Sequence, residues 1–255
     1  MKIFYAIWVT ILGAILGSFL GCMGYRIPNK VKTTYPSSFC SNCKKPLKWF
    51  MNIPIISYIL LRGRCYYCKK KYGFIYFLCE ILGASLFLLN YLLYDFTLNF
   101  FISTILVCML LVTIVSDFLY YYISDRVLII SGFLLLIAKY IFLGLNDTLM
   151  YLLSGVCMFA IMYAIKICGN IIFRKESLGD GDIKLMGVLG ISIGLFNSFI
   201  ALFLASITAL IYSLITMKRN RETLVPYGPF LIFGALLVVY LSNTLVPYIT
   251  ELFTF

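Results

Sequence analysis

The sequence predicts an all-α polytopic membrane protein of about eight transmembrane helices, with a zinc-ribbon-like cytoplasmic loop. Three observations predict it. The 255 residues are 62% hydrophobic and only 12% charged, with a mean hydropathy of +0.99, whereas soluble domains carry about a quarter charged residues. Apolar runs of roughly spanning length recur along the whole chain. One long basic segment interrupts them and carries two Cys-x-x-Cys pairs.

The apolar runs fall at about 3–23, 74–94, 97–116, 127–145, 148–167, 185–196, 198–216 and 228–247. The first, Ile3–Met23, imitates a secretory signal. It is nevertheless long enough to span, has a single Lys2 before it and lacks a small-residue cleavage pattern, so it reads as a retained helix. The sixth run is short, and only Phe196-Asn197-Ser198 separates it from the seventh. The expected organisation is a first helix (1–24), a basic loop (25–73) and a transmembrane core (74–255).

Charge fixes the expected orientation. Between Tyr25 and Gly73 lie eleven Lys/Arg and no acid; the remaining ten Lys/Arg match the ten acids of the chain. A basic patch can mark nucleic acid, but beside apolar spans it reads as the cytoplasmic excess of the positive-inside rule, suited to anionic headgroups. No nucleic-acid partner is expected. Alternation then puts Asp95, Asp147, Asn197 and Glu251 outside. It puts Asp117 to Arg126, Arg174 to Lys184 and Lys218 to Arg221 inside, leaving only Lys2 and Lys139 toward the outside.

Cys40-Ser41-Asn42-Cys43 and Cys65-Tyr66-Tyr67-Cys68 are separated by 21 residues. That spacing suits two knuckles presenting four sulfurs to one tetrahedral zinc, and a segment of about fifty residues with few core positions needs such a staple. A redox pair or free thiols are the alternatives. A catalytic zinc would want an open position and usually a histidine, and the chain has none. The other five cysteines read as small apolar residues in helices.

Leu178-Gly179-Asp180-Gly181-Asp182-Ile183-Lys184 concentrates acids directly before an apolar run, where a carboxylate is costly and functional by default. Asp117, ending the third span, is expected at the same membrane depth. Two neighbouring carboxylates do not both ionise easily, so one keeps a proton while the other acts as base toward a water. The bland alternative is a solvated helix end: acids are favoured near helix N-termini, and Asp125 reads as the N-cap of the fourth span. With no histidine available as a base, a nucleophilic Ser or Cys mechanism is disfavoured. Lys184 is expected to tune the acids or meet headgroups, and Glu80, inside the second span, needs a partner.

On these residues the chain resembles the type IV prepilin peptidases, a family of GxGD-type membrane aspartic proteases. Gly13 to Leu20 with Tyr25-Arg26-Ile27-Pro28 is similar to the family's opening helix and exit. Cys40-x-x-Cys43, Ile53-Pro54-Ile55, Arg62-Gly63-Arg64-Cys65-x-x-Cys68 and Glu80 resemble the loop of its two-cysteine-pair subgroup. Gly179-Asp180-Gly181-Asp182-Ile183-Lys184 fits its Gly-x-Gly-Asp-x-Lys signature, and Pro226-Tyr227-Gly228-Pro229-Phe230 resembles the turn before its last helix. The resemblance implies leader cleavage of prepilins or pseudopilins at the cytoplasmic face of the bacterial inner membrane. Asp117 and Asp182 are the implied catalytic acids, the family register choosing Asp182 over Asp180. The chain departs from the family in carrying Ile123-Ser124-Asp125, where many members have proline before the acid.

Methylation of the new N-terminus with S-adenosylmethionine follows from the resemblance alone, since a glycine-rich dinucleotide fingerprint is absent. The rival reading is a non-enzymatic membrane scaffold or transporter whose zinc loop docks a partner. Neither reading fixes the oligomeric state.

Overall fold

The structure, a computed structural model, describes residues 1–32, 38–40, 42–174, 177–217 and 225–242. The Lys218 to Arg221 loop, Glu251 and the end of the last apolar run lie outside the described residues. All eight apolar runs become helices: α1 (Lys2–Arg26), α3 (Phe74–Tyr94), α4 (Leu98–Tyr120), α5 (Asp125–Leu143), α6 (Leu145–Phe173), α7 (Asp180–Ile193), α8 (Leu195–Met217) and α9 (Tyr227–Leu241). A short α2 (Ile56–Leu60) and a 3-10 turn (Trp49–Asn52) lie in the basic loop. Among the described residues there is no β-strand, only the isolated bridges Phe39–Pro46 and Arg64–Lys71.

Among the described residues six helices are long and apolar enough to cross a membrane, so the protein is a multi-pass membrane protein. The exceptions are α7, with 14 residues, and α9, with 15. At 1.5 Å per residue, α7 reaches only about 21 Å, less than the ~30 Å hydrocarbon core. Its surroundings explain the short length. Ile183, Leu185–Leu189 and Ile193 are all buried, so α7 faces protein rather than lipid. The left-handed Gly194 (φ 82) then turns the chain directly into α8.

The chain divides into two compact units, Met1–Asp95 with Leu111–Tyr122, and Phe96–Leu110 with Ile123–Phe255, so that α4 contributes to both. In the first unit, α1 buries only its glycine face. Gly13, Gly17, Gly21 and Gly24 recur at three- and four-residue spacing and are buried, while Ile3, Ile7, Trp8, Ile11, Ile15 and Phe19 are exposed as lipid-facing residues. Lipid is as apolar as leucine, so helices associate through close backbone approach at small residues. A Cβ on Gly13 or Gly83 would run into the other's carbonyl, and one on Gly17 would stand 2.5 Å from the Cys79 carbonyl of α3. At the end of α1, a Cβ on Gly24 would stand 2.6 Å from both Val112 O and Val115 Cβ of α4.

Gly83→Leu is therefore expected to separate α1 from α3 and destabilise the protein by about 2–3 kcal/mol, read as a lower melting temperature in detergent. Gly132→Ala on α5 meets nothing nearer than a Val188 methyl at 3.8 Å and is expected to melt near the wild type. Equal melting of the two variants would contradict glycine-mediated packing.

In the second unit, α7 is the central element, with α5, α6, α8 and α9 all packing against it. Gly155 of α6 faces Gly187 and Gly190 of α7, and Gly234 of α9 sits on Ala201 of α8. Small residues again set the helix spacing. This buried position is what fixes the start of α7, and with it Asp182.

Candidate active site and metal centre

In the basic loop the four cysteines converge. The Sγ atoms of Cys40, Cys43, Cys65 and Cys68 lie within 4.8 Å of one another, Cys40 and Cys68 being 3.9 Å apart. A tetrahedral ion with Zn–S bonds of ~2.3 Å needs sulfur separations of about 3.8 Å. The donor set fits a thiolate-bound metal such as zinc.

The two halves are built alike. Cys40 N–H donates to Lys45 O (3.0 Å) and Lys44 N–H to Cys40 O (2.8 Å). Cys65 N–H donates to Lys70 O (2.8 Å) and Lys69 N–H to Cys65 O (3.0 Å). Lys44 and Lys69, each following the second cysteine of its pair, both take the left-handed conformation at φ 58. Two tight turns of one geometry are what a pair of metal knuckles requires.

The surroundings differ between the thiols. The backbone N–H of Lys70 and the side chain of Asn42 pull the half-buried Cys68 thiol down to about 6, whereas burial pushes Cys40 up to about 11. Asn42 Nδ2 donates to Cys68 Sγ at 3.5 Å, and Lys70 Nζ in turn donates to Asn42 Oδ1 at 2.7 Å. Such a relay orients a metal ligand from the outer shell.

Glu80 has its partner in this same unit. Its Oε2 accepts the N–H of Ile55 at 2.7 Å, a residue held at φ 63. Next to it, Tyr58 of α2 stacks on Phe77 of α3 with ring centroids 4.2 Å apart. Together they tie the Ile53-Pro54-Ile55 turn to the first turns of α3. Glu80 is thus explained as a strap for the loop.

Asp117 lies near the end of α4, in the part belonging to the first unit, and is 5% exposed. The adjacent Ser116 hydroxyl is also buried and has no partner among the described residues.

Asp180 and Asp182 both fall in the first turn of α7, in the second unit, where the helix dipole favours acids. Their surroundings differ. Asp180 is exposed and ion-paired with Lys166 of α6. Asp182, half-buried, is the third helical residue after the N-cap Gly179. A Cβ on Gly179 would stand 3.1 Å from Asp182 Oδ2, so this glycine leaves room for the carboxylate. A Cβ on Gly181 would stand 2.9 Å from Ile123 Cβ, so the second glycine lets the Ile123-Ser124 segment close on the turn. From α9, the phenol of Tyr227 lies near enough to feel the Asp182 charge, and it is held by Ser206 at 2.9 Å.

Asp125 corrects one expectation. The N-cap of α5 is Ser124, and Asp125 is the first helical residue; a serine one position earlier takes the extended cap conformation. Lys184, expected to tune the acids or meet headgroups, pairs with Asp125 at 2.8 Å, and its charge also acts on Asp180. The sequence reading missed Lys166 and Tyr227. Lys166 carried a usable signal, being an ionisable residue within a span, whereas the approach of Tyr227 to Asp182 depends on how α9 packs.

A multi-pass helical membrane protein with a loop of four converging cysteines able to hold a metal and a Gly-x-Gly-Asp helix start is the class that fold and site define. Two family descriptions match the chain, "Bacterial Peptidase A24 N-terminal domain" over residues 11–94 and "Type IV leader peptidase family" over residues 104–214. The chain is 31% identical to the type 4 prepilin-like proteins leader peptide-processing enzyme of Escherichia coli O78:H11, over 91% of this chain and 93% of that one. It is 27% identical to the prepilin leader peptidase/N-methyltransferase of Vibrio cholerae serotype O1, over 94% and 98%. The protein of the same name in Bacillus subtilis is 26% identical over 93% and 95%. No solved structure matches the chain. The protein belongs to the type IV leader peptidase family.

Proposed function

We propose that the protein is an aspartic endopeptidase that removes the leader from type IV prepilins or pseudopilins at the cytoplasmic face of the bacterial inner membrane. Asp117 and Asp182 are its catalytic acids. The observation that carries this reading is the start of α7. Gly179 and Gly181 both leave room at the turn that holds Asp182, the acid that completes Gly-x-Gly-Asp. The pairing with Asp117 is supported by chain length: only five residues separate Asp117 from Ile123, which closes on Gly181.

In the proposed reaction one acid is ionised and takes a proton from water as its oxygen bonds to the scissile carbonyl carbon. The other gives its proton to the carbonyl oxygen, and the tetrahedral diol forms. Collapse then breaks the C–N bond, and the proton held by the base passes to the leaving amine.

The metal in the loop is structural zinc in this reading; Cys40, Cys43, Cys65 and Cys68 hold it and it clamps the two knuckles together. The same protein also N-methylates the new N-terminal residue, a role carried over from the relatives' names. Bound S-adenosylmethionine would supply the methyl group.

Co-expression with a candidate prepilin in a host lacking its own peptidase, followed by mass measurement of the pilin N-terminus, tests both activities. The expected product lacks the leader and is heavier by one methyl group. An intact leader would support the scaffold or transporter reading instead.

A further inference from the structure

At the opposite end of α7 from Asp182, the second unit encloses a cavity of about 110 Å³ lined by Asn99, Lys139, Tyr151, Ser192, Asn197 and Ser242, among others. Lys139, on α5, is 1% exposed. Its ammonium lies 3.2 Å from the centroid of the Tyr151 ring, and no carboxylate among the described residues pairs with it. A buried ammonium loses its hydration, and the face of one ring offsets only part of that cost. An anion in the cavity would complete the balance.

The remaining walls add detail. Ser192 donates its hydroxyl to Leu189 O (2.8 Å) and Ser242 to Val239 O (2.9 Å), so both present lone pairs to the cavity. Asn197 donates Nδ2 to Ile193 O at 3.1 Å, and its buried Oδ1 has no partner. One cation beside several acceptors suits a ligand that carries an oxyanion together with hydroxyl or ammonium donors. The volume is well above the ~10–15 Å³ that a single water needs.

Position narrows the source. Lys139 stands four residues before the end of α5, about 6 Å along the axis. Ser192 and Ser242 flank the ends of α7 and α9, and Asn99 the start of α4. These helix ends mark the headgroup depth of one leaflet, and the bias of basic residues puts that leaflet outside.

We propose that this cavity binds a phosphate-type oxyanion on Lys139, supplied by the headgroup of an anionic phospholipid whose hydroxyls meet Asn197, Ser192 and Ser242. The site is independent of leader cleavage.

The test uses the full-length protein, delipidated in detergent. Phosphatidylglycerol is expected to raise its melting temperature more than phosphatidylcholine does. Native mass spectrometry should show one phosphatidylglycerol retained at least tenfold better than phosphatidylcholine. Both effects should disappear in Lys139→Met, while Asn197→Ala keeps the oxyanion preference with weaker retention. A matching rise with inorganic phosphate alone would support the oxyanion site but identify a free ion as the ligand. Equal responses of wild type and Lys139→Met to both additives would overturn the proposal. If Lys139→Met does not fold, absence of any preference for phosphatidylglycerol or phosphate in the wild type overturns it equally.

Discussion

Asp182→Asn is expected to lower leader cleavage by at least about 10³-fold, with the protein still inserted and still holding metal. The substitution keeps the volume and one oxygen, so the turn around Gly179 survives. What it removes is a carboxyl group that must take or give a proton in the reaction. Asp117→Asn is expected to have the same effect, because the reaction needs one ionised and one protonated carboxyl together. Acting as one device, the pair should be non-additive, with the double variant no slower than either single one. The measurement is the rate of leader removal from a prepilin in detergent or vesicles, with circular dichroism and metal content checking the fold. Two nearly normal single variants would remove the acid pair from the mechanism.

Cys65→Ser has the second largest expected effect. Each wild-type chain should purify with one equivalent of zinc, and Cys65 is the most buried of its four ligands, at 1% exposed. A serine there leaves three sulfurs and a hydroxyl that does not ionise near neutral pH. Structural zinc in small sites contributes apparent binding free energies of about 10–16 kcal/mol. The loop has little else to hold it beyond the Glu80 strap, the Tyr58–Phe77 stack and lysines lying over Phe39, Tyr66 and Tyr67. Elemental analysis should therefore find zinc lost from Cys65→Ser, and limited proteolysis should cut between residues 38 and 72. A strong chelator should reproduce both results in the wild type. Wild-type protein that purifies without metal would contradict the zinc assignment.

Much of this was legible in the sequence because it rests on one-dimensional signals. All eight apolar runs became helices, and α3 began and ended on the residues that hydropathy marks. The four cysteines converged as their spacing implied, since two short turns of fixed geometry leave few alternatives. Other features depended on three-dimensional neighbours. The shortness of α7 follows from its being surrounded by other helices, and a hydropathy run does not distinguish a buried half-length helix from a lipid-facing span. Glu80 read as an acid in need of a partner, but the partner is a backbone N–H twenty-five residues away in a loop. The Lys166–Asp180 and Lys184–Asp125 pairs join residues that meet only when α5, α6 and α7 pack. They give Asp180 and Asp125 each an ion-pair partner, which spacing alone does not reveal.

The most direct test compares two neighbours. A prepilin is co-expressed with either Asp180→Asn or Asp182→Asn, and the mass of its N-terminus is measured. The Asp180→Asn enzyme loses only a surface ion pair with Lys166 and should deliver leaderless pilin. The Asp182→Asn enzyme should leave the leader intact. Cleavage by Asp182→Asn, with none by Asp180→Asn, would contradict the assignment of Asp182 as a catalytic acid.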